Sequence, residues 1–258
     1  MSSLLDAPYP IHDTDLLRQL LGRRLCSQLQ VLAVIGAHRF QEQRLIERVF
    51  PRLRHIYLFE PLAEPLTVLR EIEARDARIR VFPFAVSDRD GTARFHVTSN
   101  DGESSSLLEL GSHAALFPEV AVSRAIEVTT RRLDSVLGEH GLAVPDVLLV
   151  DVQGAEYQVL SAIPPELMAR VRLIYAEVST EHVYAAGGLL ADIETLLAPR
   201  FVNLGFAPLR ADVPMHGNAV FVAREDTADA LALSLPGRLQ QRLRHWRRRH
   251  KAKRAVAA

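Results

Sequence analysis

Short unbroken apolar runs alternate along this chain with stretches in which apolar residues recur every three or four positions. The runs read as strands buried on both faces, and the periodic stretches as amphipathic helices. Strands are predicted at 30–35, 55–59, 79–86, 147–150, 171–178, 201–209 and 218–223. Helices are predicted at 13–25, 41–50, 62–74, 132–137, 155–160 and 187–197. The segment 92–98 alternates and reads as one strand of a small hairpin, and 126–130 as a further short strand. A loop containing Pro214 joins the last two strands. Strand and helix alternate through most of the chain, which predicts an α/β, doubly wound fold with a mostly parallel sheet.

The stretch DVLLVDVQGAEYQVL, from Asp146 to Leu160, is where such a fold would do its chemistry. Its apolar run ends at Asp151, Gly154 breaks the strand, and Glu156 opens a helix. Ligands of open parallel sheets bind outside the carboxyl ends of the strands, so Asp151, Gln153, Gly154 and Glu156 are predicted at a crevice rim. A purely structural role is equally open: Asp151 as helix cap, and Glu156 favouring the positive end of the helix. Glu60 ends the second strand, 24 residues after Gly36. An acidic residue there can accept hydrogen bonds from both hydroxyls of a nucleoside ribose, or simply cap the helix beside Pro61. The turn after the first strand holds one glycine, Gly36, and is a weak signal by itself.

Composition changes the picture in two ways. The single cysteine, Cys26, excludes an internal disulfide framework and fits a reducing compartment. The first ten residues lack the basic region and apolar core of a secretory signal, and no apolar run is long enough to span a bilayer, so a cytoplasmic protein is expected. The formal net charge is zero, yet from Pro236 onward there are nine Arg and Lys residues and no Asp or Glu; the remainder therefore carries nine net negatives. In that tail Leu239, Leu243 and Trp246 share one helical face amid arginines. A basic amphipathic helix of this kind could lie on an anionic membrane surface, peripheral to it. A solvated tail without a partner stays open. Nucleic acid is disfavoured as a partner but not excluded, since charge attraction alone is unselective. The chain divides into an N-terminal helical segment (1–28), an α/β domain (29–226) and the basic tail (227–258).

Seven ordered blocks resemble one known family. They are IGAH (35–38), FEP (59–61), AVSDRDG (85–91), SSSL (104–107), RLDSVL (132–137), DVQGAEYQVL (151–160) and the strand ending AEV (176–178). From about 31 to 223 the chain is similar to the FkbM-type methyltransferases, class I enzymes that use S-adenosylmethionine. The resemblance implies a seven-strand, Rossmann-like sheet with an antiparallel last strand. It implies S-adenosyl-L-methionine as cofactor, and a hydroxyl of a sugar, glycan or other natural product as acceptor. Cofactor contacts are implied at Gly36, Ala37, His38, Glu60, Pro61, Ala85, Asp151 and Gln153. Asp151 and then Glu177 are the candidates for assisting proton loss from the acceptor. Cofactor binding aside, His38 and His113 could titrate near neutrality, and Ser104–Ser106 could bond a ligand or form a polar turn. No set of residues has metal-ligand spacing, and no metal is expected.

The first turn departs from the family pattern of Asp, aliphatic, Gly, Ala, Asn, any residue, Gly. Val34 replaces the acid, His38 the Asn and Phe40 the second glycine. Phe40 brings a side chain that favours negative φ to a place of close backbone approach, and Arg39 adds positive charge. Weakened cofactor affinity is expected from these changes. The alternative to an active enzyme is a methyltransferase-fold protein that has lost turnover and acts as a binding or scaffolding subunit. A nicotinamide-dependent oxidoreductase would want a glycine-rich GxGxxG turn, which is absent.

Overall fold

The computed structural model describes residues 21–230. The expected N-terminal helix therefore lies outside the described residues up to position 20, as does the basic tail from 231. Five neighbouring strands run parallel: β1 (Val31–Ile35), β2 (His55–Phe59), β3 (Ile79–Phe82), β7 (Val147–Val150) and β8 (Leu173–Ser179). Two more complete the sheet, β9 (Phe201–Arg210) and β10 (Val213–Ala223), in the order β3-β2-β1-β7-β8-β10-β9. β10, the last strand of the described chain, is antiparallel to both of its neighbours. This is the doubly wound sheet with an antiparallel last strand that the sequence predicts.

Side-chain alternation along β1 shows why both faces are covered. Val31, Ala33 and Ile35 point into one apolar layer, with Val136 and Leu137 of α5 (Leu133–Glu139), Val159 and Leu160 of α6 (Glu156–Ser161), and Ile193 of α8 (Leu190–Leu197). Leu32 and Val34 point into the other, with Leu25 of α1 (Arg23–Cys26), Ile46 of α2 (Gln43–Val49) and Leu69 of α3 (Ala63–Arg75). A strand buried on both sides has no polar face to show, so its sequence is a plain apolar run. The starts of β1 and β7 are tied by Asp146, whose carboxylate accepts from the backbone N–H of Gln30 and Val31 at 2.8 and 2.9 Å. Cys26 is buried beneath the sheet, which pushes its thiol up to about 11 and makes it a poor nucleophile.

Three differences from the sequence-based expectation have simple causes. The run 79–86 is two strands. Pro83 has no N–H to continue the ladder, so β3 stops at Phe82 and β4 (Ala85–Val86) joins a second sheet instead. That sheet, in the order β4-β6-β5, pairs β5 (Gly91–Thr98) with β6 (Val122–Arg131). The expected hairpin therefore closes across the long excursion 99–121, which carries α4 (His113–Leu116). Finally, Pro214 does not interrupt the last pair of strands as a loop. β10 begins at Val213, and an irregularity in register between Val213 and Gly217 absorbs the proline.

Candidate active site

The turn that follows β1 is shaped by its own backbone. The N–H groups of Gly36 and Ala37 both donate to the carbonyl of Phe59, at 3.1 and 3.0 Å, which docks the turn on the tip of β2. Gly36 has φ +83°, and a Cβ built there would lie 1.7 Å from the Asp151 carbonyl oxygen. Only glycine fits. His38 and Phe40 are also left-handed, at φ +43° and +51°. Phe40 thus holds a backbone conformation that glycine adopts freely, at a strain cost of about 1–3 kcal/mol. Its ring does not stand toward the ligand side, as the sequence suggested. It is 2 % exposed and packs in the apolar layer with Ile46 and Phe50. Arg39 pairs with Asp101 at 3.2 Å, which offsets the charge it brings to the turn.

Glu60 is 4 % exposed at the tip of β2. One oxygen accepts from the N–H of His38 and the other from that of Leu62, both at 2.8 Å. Burial raises its proton affinity, while these two backbone bonds and His38 act against that. α3 begins at Ala63 with Leu62 as its N-cap, so the Leu62 contact braces the entry to the helix and is not a side-chain cap of it. The same carboxylate also reaches the β1 turn. A carboxylate has about four acceptor positions, and these two bonds leave capacity for further donors.

Around the tip of β7 the groups are side chains. Gln153, left-handed at φ +56°, donates from Nε2 to Asp151 Oδ1 at 2.6 Å and to Glu177 Oε2 at 2.5 Å. The hydroxyl of Tyr184 donates to Gln153 Oε1. Burial, followed by the charges of Glu177, Asp151 and Glu156, holds that phenol well above its ordinary range, so it stays a donor. A donor on Oε1 turns the amide N–H₂ toward both carboxylates and fixes which way Gln153 faces. Glu156 does not cap through the helix macrodipole alone. Its Oε1 accepts from Val152 N–H at 2.9 Å and Gly154 N–H at 3.2 Å, and burial, with Asp151 adding to it, pushes its carboxyl up to about 7.

Asp151, Glu156 and Glu177 each place one oxygen within 4.8 Å of the others, a cluster that spacing along the chain could not reveal. The amide of Gln153 bridges two of them and backbone N–H groups hold the third, so their geometry is that of a hydrogen-bonded network. Asp151 itself does not cap α6.

On β8 and β10, strand register sets Asn218 opposite Glu177 and His216 opposite Ser179. His216 Nε2 lies 3.4 Å from Glu177 Oε2, and its Nδ1 lies 2.9 Å from Ser179 Oγ. His113 is 2 % exposed, and its Nδ1 has no hydrogen-bond partner. Burial pushes it down to about 4, so it is neutral at pH 7 and does not titrate there as its residue type suggested. Of the three serines, Ser104 and Ser105 reach the cavity. Ser105 Oγ accepts from Thr98 N–H, and Ser106 Oγ donates to the Gln153 carbonyl, so the segment also braces the turn beneath it.

These groups converge on one cavity of about 540 Å³ at the carboxyl ends of the strands. Gly36, Ala37, His38, Glu60, Pro61, Ala85, Asp151, Gln153 and Glu177 all line it. Sequence reasoning missed His216, Asn218 and Tyr184. His216 fell in what read as the Pro214 loop, and Tyr184 lies beyond the strand with no motif around it.

The family model for the methyltransferase FkbM domain matches residues 35–207. The chain belongs to the FkbM methyltransferase family. This is a family of S-adenosylmethionine-dependent methyltransferases. A curated relative, the 2-O-methyltransferase NoeI of Sinorhizobium fredii, is 32% identical over 160 residues, covering 60% of this chain and 65% of that protein. The AMB antimetabolite synthetase AmbE of Pseudomonas aeruginosa is 34% identical over 152 residues, covering 57% of this chain and 7% of that much longer protein. This chain thus spans just under two thirds of the first relative and a small part of the second. Among solved structures, an FkbM methyltransferase from Methylobacillus flagellatus superposes with a TM-score of 0.50 at 12% identity, over 76% of this chain and 44% of that one, which shows the shared fold. Among the described residues, no helix is long and apolar enough to cross a membrane.

Proposed function

We propose that this FkbM-family chain transfers the methyl group of S-adenosylmethionine to a hydroxyl of a sugar, a glycan or a related natural product. The single observation behind this is the convergence of all nine sequence-derived residues on one cavity of about 540 Å³, large enough for a nucleoside and part of an acceptor. The similarity to a protein named as a 2-O-methyltransferase supports oxygen as the atom that receives the methyl group.

Glu60 would hold the ribose hydroxyls with the acceptor capacity its two backbone bonds leave. Gly36, Ala37 and His38 let the backbone come close, and Pro61 and Ala85 flank the same side. Asp151 and Gln153 stand where the two sides meet, and Glu177 faces the acceptor side. When bound, S-adenosylmethionine supplies a methyl on a cationic sulfur, a good electrophile. What the protein adds is alignment of the acceptor oxygen with that methyl, exclusion of water, and a place for the acceptor's proton. Asp151 and Glu177 are the groups positioned to receive it.

Calorimetry with S-adenosylhomocysteine tests the cofactor side. Glu60→Ala should weaken binding by about 2 kcal/mol, the scale of lost charged hydrogen bonds. Absence of binding by the wild-type protein to either S-adenosylmethionine or S-adenosylhomocysteine would remove the proposal.

A further inference from the structure

The antiparallel strand β10 brings an imidazole into the site that the family motifs do not include. His216 is buried, lines the cavity and touches Glu177 on one ring nitrogen and Ser179 on the other. Strand register sets these contacts: Ser179 is its direct partner across the β8–β10 ladder, and Glu177 lies two residues along the same face of β8. The ring is fixed at both ends.

From this geometry we infer that His216 and Glu177 act as one imidazole–carboxylate pair that takes up the proton released by the acceptor hydroxyl, with Ser179 setting the orientation of the ring. The inference rests on the methyltransferase function proposed above. Two acceptors cannot face each other stably at 3.4 Å, so one proton lies between Nε2 and Oε2. With that proton on Nε2, Nδ1 accepts from the Ser179 hydroxyl, and the pair carries one negative charge. In the reaction the acceptor O–H bond breaks and its oxygen forms the new O–CH₃ bond. The S–CH₃ bond breaks, and the sulfur keeps that electron pair and becomes a neutral thioether. The acceptor's proton passes to the Glu177 carboxylate, and the pair then holds two protons. The acid so formed stays beside the Nε2–H of His216, and Nδ1 accepts from the Ser179 hydroxyl before and after the transfer. The Nε2–H thus holds the carboxylate in position before the transfer and stays bonded to the acid after it.

Other groups face this pair from each packed element. From α4 comes His113, whose proton affinity the nearby His216 helps to lower. The rings of Phe117 and Tyr184 lie at centroid distances of 6.3 and 6.5 Å from His216. Gln153 donates to the same Glu177 oxygen, and Asp151 and Glu156 lie beyond it. The pair therefore sits among neutral donors and aromatic faces on one side and carboxylates on the other.

The test reads the pair directly and needs no acceptor. Ring resonances of His216 in the full chain would be assigned by comparison with His216→Gln, then titrated by NMR in the S-adenosylmethionine and S-adenosylhomocysteine complexes. These ligands differ by one positive charge and one methyl group at sulfur. If the pair faces the transferring methyl, His216 should titrate lower by about half a pH unit or more in the sulfonium complex. In Glu177→Gln its midpoint should fall in both complexes. A ring remote from the sulfur, or screened from it by solvent, would be indifferent to that charge. Identical titration curves in the two complexes overturn this inference and leave the methyltransferase proposal standing. No calorimetric binding of either ligand removes that proposal, and the role of the pair with it.

Discussion

The two sides of the cavity are built in different ways. Where β1 and β2 end, the surface is mostly backbone: a turn with left-handed residues at Gly36, His38 and Phe40, and a carboxylate, Glu60, held by two N–H groups. Where β7 and β8 end and the antiparallel β10 begins, the surface is a side-chain network: Asp151, Gln153, Glu177, Tyr184 and His216 hold one another, from segments up to 65 positions apart. A site made from backbone is fixed by turn conformation and by glycine where two backbones meet. A site made from side chains depends on the register of strands that are far apart in the chain.

The sharpest way to break this contrast is Gly36→Ala. The added methyl would meet the Asp151 carbonyl at 1.7 Å, and φ +83° is unsuited to alanine. A loss of about 4 kcal/mol or more of folding stability is expected in urea denaturation, beyond what an ordinary surface substitution causes. A loss under 1 kcal/mol would show that the turn relaxes and that backbone geometry does not define this side.

Phe40→Gly asks whether the unusual residue is a defect or a support. Glycine relieves the left-handed strain, but the ring leaves a hole among Ile46 and Phe50. The expected net loss is about 2–3 kcal/mol, the cost of deleting a buried Phe less the strain released. The sequence alone pointed to a different effect, weakened cofactor affinity. A stabilised variant would show that the ring does not support the turn.

The smallest effect probes the side-chain half through pH. The Glu156 carboxyl is pushed up to about 7 in the folded chain. The folded state therefore holds a proton that the unfolded chain, with an ordinary pKa near 4.3, has released. The stabilisation is fully present below that unfolded value and is lost as pH rises toward 7. Between pH 5 and pH 8 the wild type should lose about 2 kcal/mol relative to Glu156→Gln, measured by urea denaturation of both. Parallel stability curves for the two proteins would mean that the carboxyl is ionised throughout.

How much of this was legible follows from the same contrast. The five parallel strands were readable because burial on both faces leaves plain apolar runs such as VLAVI and HIYLF. Glu60 and Asp151 were readable because each ends such a run. The break at Pro83 could have been found from the missing N–H, but the apolar pattern continues across it and hides the change of sheet. His216 was hidden for the opposite reason. Pro214 looked like a loop signal, whereas the bulge at Val213–Gly217 lets the strand continue past it. Tyr184 and the facing of Gln153 depend on contacts across 31 positions, which no local pattern encodes.

The break at Pro83 also matters at the rim of the molecule. β3 is an edge of the seven-stranded sheet, and an edge is a row of hydrogen-bonding groups that another chain could pair with. This one is four residues long, shows Arg80 to solvent at its middle and ends against a proline. The opposite edge, β9, carries Pro208 within it. Short length, an outward charge and prolines make poor templates for strand addition. The residue that diverts the chain toward the second sheet thus also guards the main one against edge-to-edge aggregation.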